Sequence, residues 1–168
     1  MKIHTVILAA GEGSRMLSNK AKSLQPVGGL SMLRRIFDTV SNLTDETSFV
    51  VGFEKDSVTI EIEKFSGINH ICEQKKPIGT ADAVKSALDS IKQDSKVLVL
   101  YGDVPLIKKE TLNNLISMTD DSLTILSTEL KDPTGYGRVK KNENGLAISI
   151  VEEKDASEED KQIKEIFT

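Results

Sequence analysis

The sequence predicts an α/β protein with a Rossmann-like fold, in which helices flank a mostly parallel central sheet. Short apolar runs rich in β-branched residues alternate with segments whose apolar residues recur at helical spacing, a pattern typical of β-α-β units. Two of these runs end in glycines and polar residues, at the strand ends where open α/β sheets usually bind ligands. Near the C-terminus, Asn144-Gly145 lies between two strand-like segments and predicts a β-hairpin.

The first predicted strand is Ile3–Ala9, a short apolar run that ends in a glycine-rich loop. Ser31 is a suitable cap for the next helix, whose apolar residues form one face. The residues of that face are Met32, Leu33, Ile36, Phe37, Val40 and Leu43. Ser48–Gly52 predicts the second strand. The segment Asp56–Phe65 fits an alternating strand or a helix, and its place between two strands favours the helix.

The second half of the sheet is predicted in the same way. Ile68–Cys72 is the third predicted strand, and Thr80 begins a helix. The inner face of that helix is predicted to be Ala81, Val84, Ala87, Leu88 and Ile91. Lys96–Tyr101 is the clearest strand. A helix over Lys109–Met118 then leads to a predicted strand at Leu123–Thr128.

The last third of the chain has a different character. Arg138–Lys141 and Leu146–Glu152 are the two predicted strands of the hairpin. The charged segment Asp155–Glu165 predicts a solvated helix or loop.

Length and charge narrow the class of protein. A chain of 168 residues predicts one domain over 1–168. A net charge of −4 and a pI near 5.3 argue against a general surface for nucleic acids or membranes. The single cysteine, Cys72, fits a reducing compartment and a cytoplasmic protein. The first apolar run is too short for a signal peptide or a membrane span. His4 and His70 lie in strand-like runs and are expected to be structural.

The loop after the first strand has residues suited to binding phosphate. Gly11 and Gly13 let the backbone turn tightly and let a ligand approach the peptide N–H groups. Arg15 and Lys22 supply the positive charge that a polyphosphate needs. A strand that ends in Gly-x-Gly is also common without any nucleotide, and this segment is neither a Walker A loop nor a complete dinucleotide fingerprint. The lack of a strand or helix pattern from Ala10 to Gly29 favours a functional loop.

Two further segments carry candidate chemistry. Asp103 follows an apolar strand and Gly102, and a carboxylate there can hold Mg²⁺ if substrate phosphates and water supply the other oxygens. An aspartate after a glycine is also a common turn or cap residue. Gln74 could pair with the edge of a nucleobase, and Gly79-Thr80 could offer N–H groups and a hydroxyl at a helix start. The alternative for these three residues is an ordinary loop with a helix cap.

Five segments, read together, point to one family. The first segment, over 8–16, reads LAAGEGSRM, and the second is Glu73-Gln74 together with GTA over 79–81. The third is YGDVPL over 101–106, the fourth is DPTGYGR over 132–138, and the fifth is IVE over 150–152. The fourth segment could by itself be two turns. In this order, the segments resemble the uridyltransferase domain of the bifunctional N-acetylglucosamine-1-phosphate uridyltransferase family, among the sugar-nucleotide pyrophosphorylases. The opening segment is shared with the wider superfamily, which includes cytidylyltransferases.

The resemblance implies a Rossmann-like nucleotidyltransferase fold and a reaction. UMP would pass from UTP to N-acetylglucosamine-1-phosphate, giving UDP-N-acetylglucosamine, a cell-wall precursor, and pyrophosphate. The sugar-phosphate oxygen would attack the α-phosphorus of UTP in line. Catalysis would then consist of positioning and charge neutralisation.

The resemblance also implies residue roles. Arg15 and Lys22 would be catalytic, neutralising the triphosphate and its departing pyrophosphate, and Asp103 would bind Mg²⁺. The implied substrate-binding residues are Leu8, Ala10, Gly11, Gly13, Gln74, Gly79, Thr80, Tyr101, Gly102, Gly137 and Glu152. Within that set, the backbone over 8–11 with Gln74, Gly79 and Thr80 would hold the uridine. The amino sugar would contact Gly102, Gly137 and Glu152.

Three departures from the family pattern bear on activity. Ala21 stands where the family usually has proline, which predicts a looser loop before Lys22. Phe167 stands where the family has an asparagine that contacts the sugar, and phenylalanine cannot make those hydrogen bonds. The chain is expected to be truncated before a second asparagine, which completes the metal site in the family. With Asp103 as the only protein ligand, metal binding is expected to be weaker.

These departures leave two alternatives to the uridyltransferase. One is a catalytically silent domain that binds a nucleotide or nucleotide sugar. The other is a cytidylyltransferase, which the segments around Gln74 and Gly137 oppose. A sheet without the family's later strands is also expected to self-associate through an exposed edge.

Overall fold

A computed structural model describes residues 1–13, 16, 18–76, 78–119 and 122–167. The chain forms two compact units, Met1–Ile116 and Ser117–Thr168, and each is described by itself. The expectation of one nucleotidyltransferase domain over 1–168 stays a prediction. Among the described residues, no helix has the length and apolar character needed to cross a bilayer.

The first unit contains the predicted parallel sheet. The strands of this unit are β1 (Lys2–Leu8), β2 (Pro26–Val27), β3 (Leu30–Ser31), β4 (Glu46–Val51), β5 (Ile68–Glu73) and β6 (Ser95–Tyr101). The order β5-β4-β1-β6 is parallel throughout, and β2 and β3 form a separate antiparallel pair. Because β1 pairs directly with β6, the glycine loop and the segment that carries Asp103 leave the sheet side by side.

Helices cover both faces of this sheet, as predicted. They are α1 (Met32–Val40), α2 (Lys55–Ile62), α3 (Thr80–Lys85) and α4 (Lys109–Met118), with 3-10 turns at Lys22–Leu24 and Leu88–Ser90. On one face, Ile7 and Phe49 pack in a core that includes apolar residues of α1, α2 and α4. On the other, Val6 and Val50 pack against Ala83 of α3. The alternation of side chains along the strands separates these two cores.

Two uncertain elements of the sequence are settled by capping and packing. Ser31 caps α1, since its Oγ accepts a hydrogen bond from the Arg34 N–H at 3.0 Å. The ambiguous segment Asp56–Phe65 is helical over α2, where Val58 and Ile62 are buried. The helix interpretation is therefore confirmed.

Some predicted elements are wrong in extent. The segment from Ala10 to Gly29, expected to be a loop, contains a 3-10 turn and the strand β2. The helix that begins at Thr80 ends at Lys85, so Ala81 and Leu88 are exposed while Ala83 and Ala87 are buried. The chain tightens into a 3-10 turn after α3, and that turn interrupts the helical spacing on which the prediction rested.

The second unit is an antiparallel sheet of the order β7-β10-β8-β9. Its strands are β7 (Ser127–Glu129), β8 (Arg138–Lys141), β9 (Ala147–Val151) and β10 (Glu165–Phe167), with 3-10 turns at Glu153–Asp155 and Asp160–Gln162. The predicted hairpin is confirmed as β8–β9, and Gly145 in its turn has a φ of +76°. The predicted strand Leu123–Thr128 is wrong over most of its length, because only residues 127–129 lie opposite β10.

A polar cluster lies at the amino ends of β1, β4 and β5. The buried His4 shares a hydrogen bond with Ser48, 2.6 Å from Nε2 to Oγ, and its ring stacks on His70. Glu46 is bonded by His70 at 2.9 Å and pairs with Lys92. The hydrogen bond from Lys92, followed by that from His70, holds the pKa of Glu46 at about 2. These contacts agree with a structural role for both histidines.

We expect the cluster to make stability fall on mild acidification. Burial, and then the charge of His70, lower the pKa of His4 below its ordinary value near 6.5. Below about pH 6.5 the unfolded chain therefore takes up a proton that the folded chain disfavours, and stability falls towards the lower folded pKa. Replacing His4 with glutamine should flatten this slope between pH 8 and pH 5.5, measured as the free energy of unfolding in urea.

Glu46 affects the stability of the fold in a separate pH range. Its contribution is lost only as the pH falls from about 4.5 towards 2, so it does not enter the slope between pH 8 and pH 5.5. Equal slopes for the wild type and His4→Gln would contradict the assignment to His4.

Candidate functional site

The carboxyl end of the parallel sheet carries a cavity of about 290 Å³. It is lined by Leu8, Ala9, Ala10, Gly11, Lys22, Ser23, Gln74, Gly79, Thr80, Ala83, Tyr101, Gly102 and Asp103. This set includes every described site residue predicted in the first unit except Gly13. Arg15 lies outside the described residues. The predicted residues come from four separate stretches of sequence, and the fold brings them to one wall.

Two lining residues, Ser23 and Ala83, were not predicted, and Ala9 was predicted only as part of the backbone over 8–11. Ser23 follows Lys22 directly, and Ala83 lies one turn along α3 from Thr80. The neighbouring positions, together with the i, i+3 spacing on a helix, are the signals that could have found them.

The pairing of β1 with β6 forms the floor of the cavity. Leu8 is in register with Tyr101, and the Gly102 N–H donates to the Leu8 carbonyl at 2.8 Å. A Cβ at position 102 would lie 2.6 Å from the Leu8 carbonyl oxygen, so only glycine fits there without displacing backbone. Asp103 therefore lies directly after the point where the two strands are joined.

Gln74 forms the side of the cavity next to α3. The residue is buried, and its Nε2 donates to the Gly79 carbonyl at 3.1 Å and to Asp82 Oδ2 at 3.0 Å. With both bonds made by the amide nitrogen, Oε1 is the Gln74 atom that can accept a hydrogen bond from a ligand. Asp82 was not predicted, although an acidic residue in the first turn of a helix is a recognisable signal.

Lys22 and Asp103 face each other as an ion pair, with side chains 38% and 33% exposed. Gly13, at a φ of +71°, packs on the aliphatic part of Lys22, and a Cβ there would lie 2.7 Å from Lys22 Cβ. Gly13 thus supports Lys22 and does not line the cavity. The lysine predicted to bind phosphate is paired with the carboxylate predicted to bind metal.

The segment before Lys22 is buried and hydrogen-bonded. Ala21 is fully buried, and its N–H donates to Glu54 Oε2 at 3.1 Å. This hydrogen bond uses the N–H that a proline would lack, and the looser loop expected at this position stays a prediction.

The cavity fits Mg²⁺ as a site completed by substrate. Among the described residues, no group of three or more His, Cys, Asp or Glu could hold a metal by itself. Asp103 offers one carboxylate on the cavity wall, and Mg²⁺ commonly takes one or two carboxylates with phosphate oxygens and water. Asp103 is thus the residue that would hold the ion together with a bound triphosphate.

The second unit brings its own predicted residues together. A Cβ on Gly137 would lie 3.7 Å from Glu152 Oε2, and the Phe167 N–H donates to the Gly137 carbonyl at 3.3 Å. The buried Arg138 pairs with Glu153 Oε2 at 2.8 Å. Hydrogen bonds from the Gly135 N–H and then from Arg138 lower the pKa of Glu153.

Arg138 and Glu153 were not assigned a role from the sequence. Their pairing joins the start of β8 to the 3-10 turn after Glu152, and no local sequence pattern predicts such a contact. It braces the two segments that carry Gly137 and Glu152.

Comparison with known proteins gives a family and a set of relatives. The profile of the MobA-like NTP transferase domain matches residues 5–138. A protein of Marinobacter nauticus named Bifunctional protein GlmU is 44% identical over 99% of this chain and 37% of its own length. Proteins of the same name from Francisella philomiragia and Coxiella burnetii are 44% and 41% identical over 100% of this chain and 37% of theirs.

The resemblance inferred from the sequence segments is confirmed by these relatives. The chain spans about 37% of the length of the curated relatives named above.

Solved structures confirm the fold class. HddC from Yersinia pseudotuberculosis matches with a TM-score of 0.69 at 23% identity, covering 90% of this chain and 69% of that one. The 4-diphosphocytidyl-2C-methyl-D-erythritol synthase from Anaerococcus prevotii matches with a TM-score of 0.67 at 20% identity, covering 99% and 67%. At these identities the likeness is one of fold.

We expect Lys22→Met to raise the affinity for Mn²⁺ in the absence of nucleotide, because it removes the cation that pairs with Asp103. The gain should be up to about fivefold, since a partly exposed ion pair is worth at most about 1 kcal/mol. Free Mn²⁺ can be followed by electron paramagnetic resonance. Lys20→Met is the matched control, because Lys20 is an exposed lysine of the same loop.

Asp103→Asn should weaken Mn²⁺ binding in the same titration. An affinity that Lys22→Met leaves unchanged would show that the lysine does not compete with the metal.

Proposed function

The chain belongs to the MobA-like NTP transferase family, and from this we propose that it transfers UMP from UTP to N-acetylglucosamine-1-phosphate. The products would be UDP-N-acetylglucosamine and pyrophosphate. The observation that carries the proposal is the single cavity shared by Gln74, the glycine loop, Lys22 and Asp103. The sequence segments that resemble uridyltransferases, and relatives 41–44% identical over the chain, support the same substrate class.

Gln74 would recognise the base. Its Oε1 could accept the N3–H of uracil, while its amide nitrogen keeps Gly79 and Asp82 in place. Gly79 and Thr80 would complete the base site with backbone groups and a hydroxyl. Cytosine has no N3–H, so this contact favours UTP over CTP.

Lys22 would act on the phosphates. On binding UTP it would exchange Asp103 for phosphate oxygens, and Arg15 would add a second positive charge. Mg²⁺ held by Asp103 would supply further neutralisation of the triphosphate. The attacking sugar phosphate is already anionic, so no side-chain base is needed, and the protein contributes positioning and charge stabilisation.

Gly137 and Glu152 would hold the amino sugar. The Glu152 carboxylate can accept hydrogen bonds from sugar hydroxyls, and Gly137 places no side chain next to this carboxylate. The reaction would take place in the cytoplasm, in line with the expectation from the single cysteine. Self-association through a sheet edge stays a prediction.

One observation favours a second candidate, a catalytically silent domain that binds UTP or a nucleotide sugar. Phe167 lies beside Gly137, at the position where the family that this chain resembles has a sugar-binding asparagine. A phenylalanine there removes hydrogen bonds to the sugar and leaves the nucleotide cavity unchanged.

Turnover separates these two candidates. We expect the chain to release pyrophosphate from UTP, N-acetylglucosamine-1-phosphate and Mg²⁺, and Asp103→Ala to abolish that release, because Asp103 is the protein's carboxylate for the metal. The measurement is a coupled pyrophosphate assay with a folding check by circular dichroism. A folded wild-type chain that binds UTP without turnover would favour the silent domain.

Base and phosphate roles should separate by mutation. Gln74→Ala should raise the Kd for UTP by about tenfold, the value of one lost hydrogen bond in a buried site. Lys22→Ala should lower kcat by about 10²-fold, because its charge acts mainly on the transition state, and raise the Kd for UTP by up to about tenfold through the lost contact with the phosphates. Gln162→Ala, at an exposed glutamine, is the control for the first variant. Equal effects of Gln74→Ala and Lys22→Ala on Kd and kcat would contradict the separate roles.

A further inference from the structure

The glycine loop over residues 10–21 is fastened at both ends to one short turn. This turn, Gly52–Glu54, follows β4 and leads into α2. At the start of the loop, the Phe53 N–H donates to the Ala10 carbonyl at 3.2 Å. At its end, the Ala21 N–H donates to Glu54 Oε2 at 3.1 Å. The turn thus connects the point where the loop leaves β1 to the point where Lys22 begins.

The start of the loop is fixed by close packing. A Cβ on Gly52 would lie 3.0 Å from Ala10 Cβ and 3.1 Å from the Ala10 carbonyl oxygen. A side chain at position 52 would therefore be in tighter than ordinary contact with Ala10, and one of the two residues would have to shift. This contact holds the backbone of the turn against the cavity wall that Ala10 forms.

The end of the loop depends on one side chain. Glu54 occupies the N-cap position of α2 with φ +50° and ψ +40°, a left-handed conformation that costs free energy in a residue with a side chain. Its carboxylate makes no capping bond to α2. The carboxylate instead accepts the N–H of Ala21, which lies far away in sequence.

The accepting partner matters because Ala21 is fully buried. A buried peptide N–H without a partner is costly, so the Glu54 carboxylate favours the present path of the chain over others. Lys22 follows directly and begins the 3-10 turn Lys22–Leu24. Fixing the Ala21 peptide therefore fixes the direction in which the Lys22 side chain leaves the backbone.

We propose that Glu54 is a positioning residue for the proposed reaction, holding Lys22 where it meets the phosphates of UTP. It acts through the Ala21 N–H and does not touch the substrate. The inference rests on the proposed function for its substrate, and on the Ala21–Glu54 hydrogen bond for its mechanism.

The test compares a ligand with phosphates and one without. Glu54→Ala should raise the Kd for UTP by about three- to tenfold, the equivalent of one hydrogen bond, and leave the Kd for uridine unchanged. Both can be measured by NMR titration of the ¹⁵N-labelled chain. Glu54→Gln keeps an acceptor and should bind UTP nearly as well as the wild type. Glu63→Ala, an exposed glutamate just after the same helix, is the matched control.

A double-mutant cycle separates positioning from general stability. Ala21 has a φ of −48°, close to the range of proline, and Ala21→Pro removes the N–H donor. In the Ala21→Pro background, Glu54→Ala should no longer change the Kd for UTP. An equal loss in both backgrounds, or an equal loss of uridine binding, would overturn the proposal.

Hydrogen exchange distinguishes failure of the inference from failure of the proposed function. If the wild type binds neither UTP nor uridine, the proposed function fails. The Ala21 amide then decides the inference: protection in the wild type that Glu54→Ala removes supports it, and equal exchange rates overturn it.

Discussion

The candidate site depends on the parallel pairing of β1 with β6. The hydrogen bond from the Gly102 N–H to the Leu8 carbonyl joins the ends of these strands, and the absence of a side chain at Gly102 lets them approach. Because parallel strands end at the same edge, two segments about ninety residues apart in sequence contribute to one cavity. Every role considered for Lys22 and Asp103 presupposes this junction.

Around that junction, polar contacts between distant segments set the shape of the site. Gln74 ties the end of β5 to the start of α3, and Glu54 ties the β4–α2 turn to the segment before Lys22. The second unit uses the same device, with Arg138 and Glu153 bracing the segments that carry Gly137 and Glu152. In each case a side chain stabilises a backbone position beside a predicted binding residue.

Much of this could be predicted from sequence because it follows from local pattern. Strand ends and glycine-rich segments predicted Gly11, Lys22, Gln74 and Asp103 as candidate residues, but the pairing of β1 with β6 that brings the first and last segments together was not fixed by the sequence pattern. The strand at Leu123–Thr128 failed because apolar alternation does not reveal whether a partner strand lies opposite. The bracing contacts of Glu54 could not be predicted either, since they join residues that only the folded chain brings together.

The pairing of Lys22 with Asp103 has a consequence for discrimination between ligands. In this ion pair each charge is offset by the other. A free phosphate could bind Lys22 only by leaving Asp103 without its partner. A free cation could bind Asp103 only by leaving Lys22 without its partner. Under the proposed function, a nucleotide that arrives with its own metal would satisfy both partners in one exchange, which would bias the site towards the complete metal–nucleotide complex over either component.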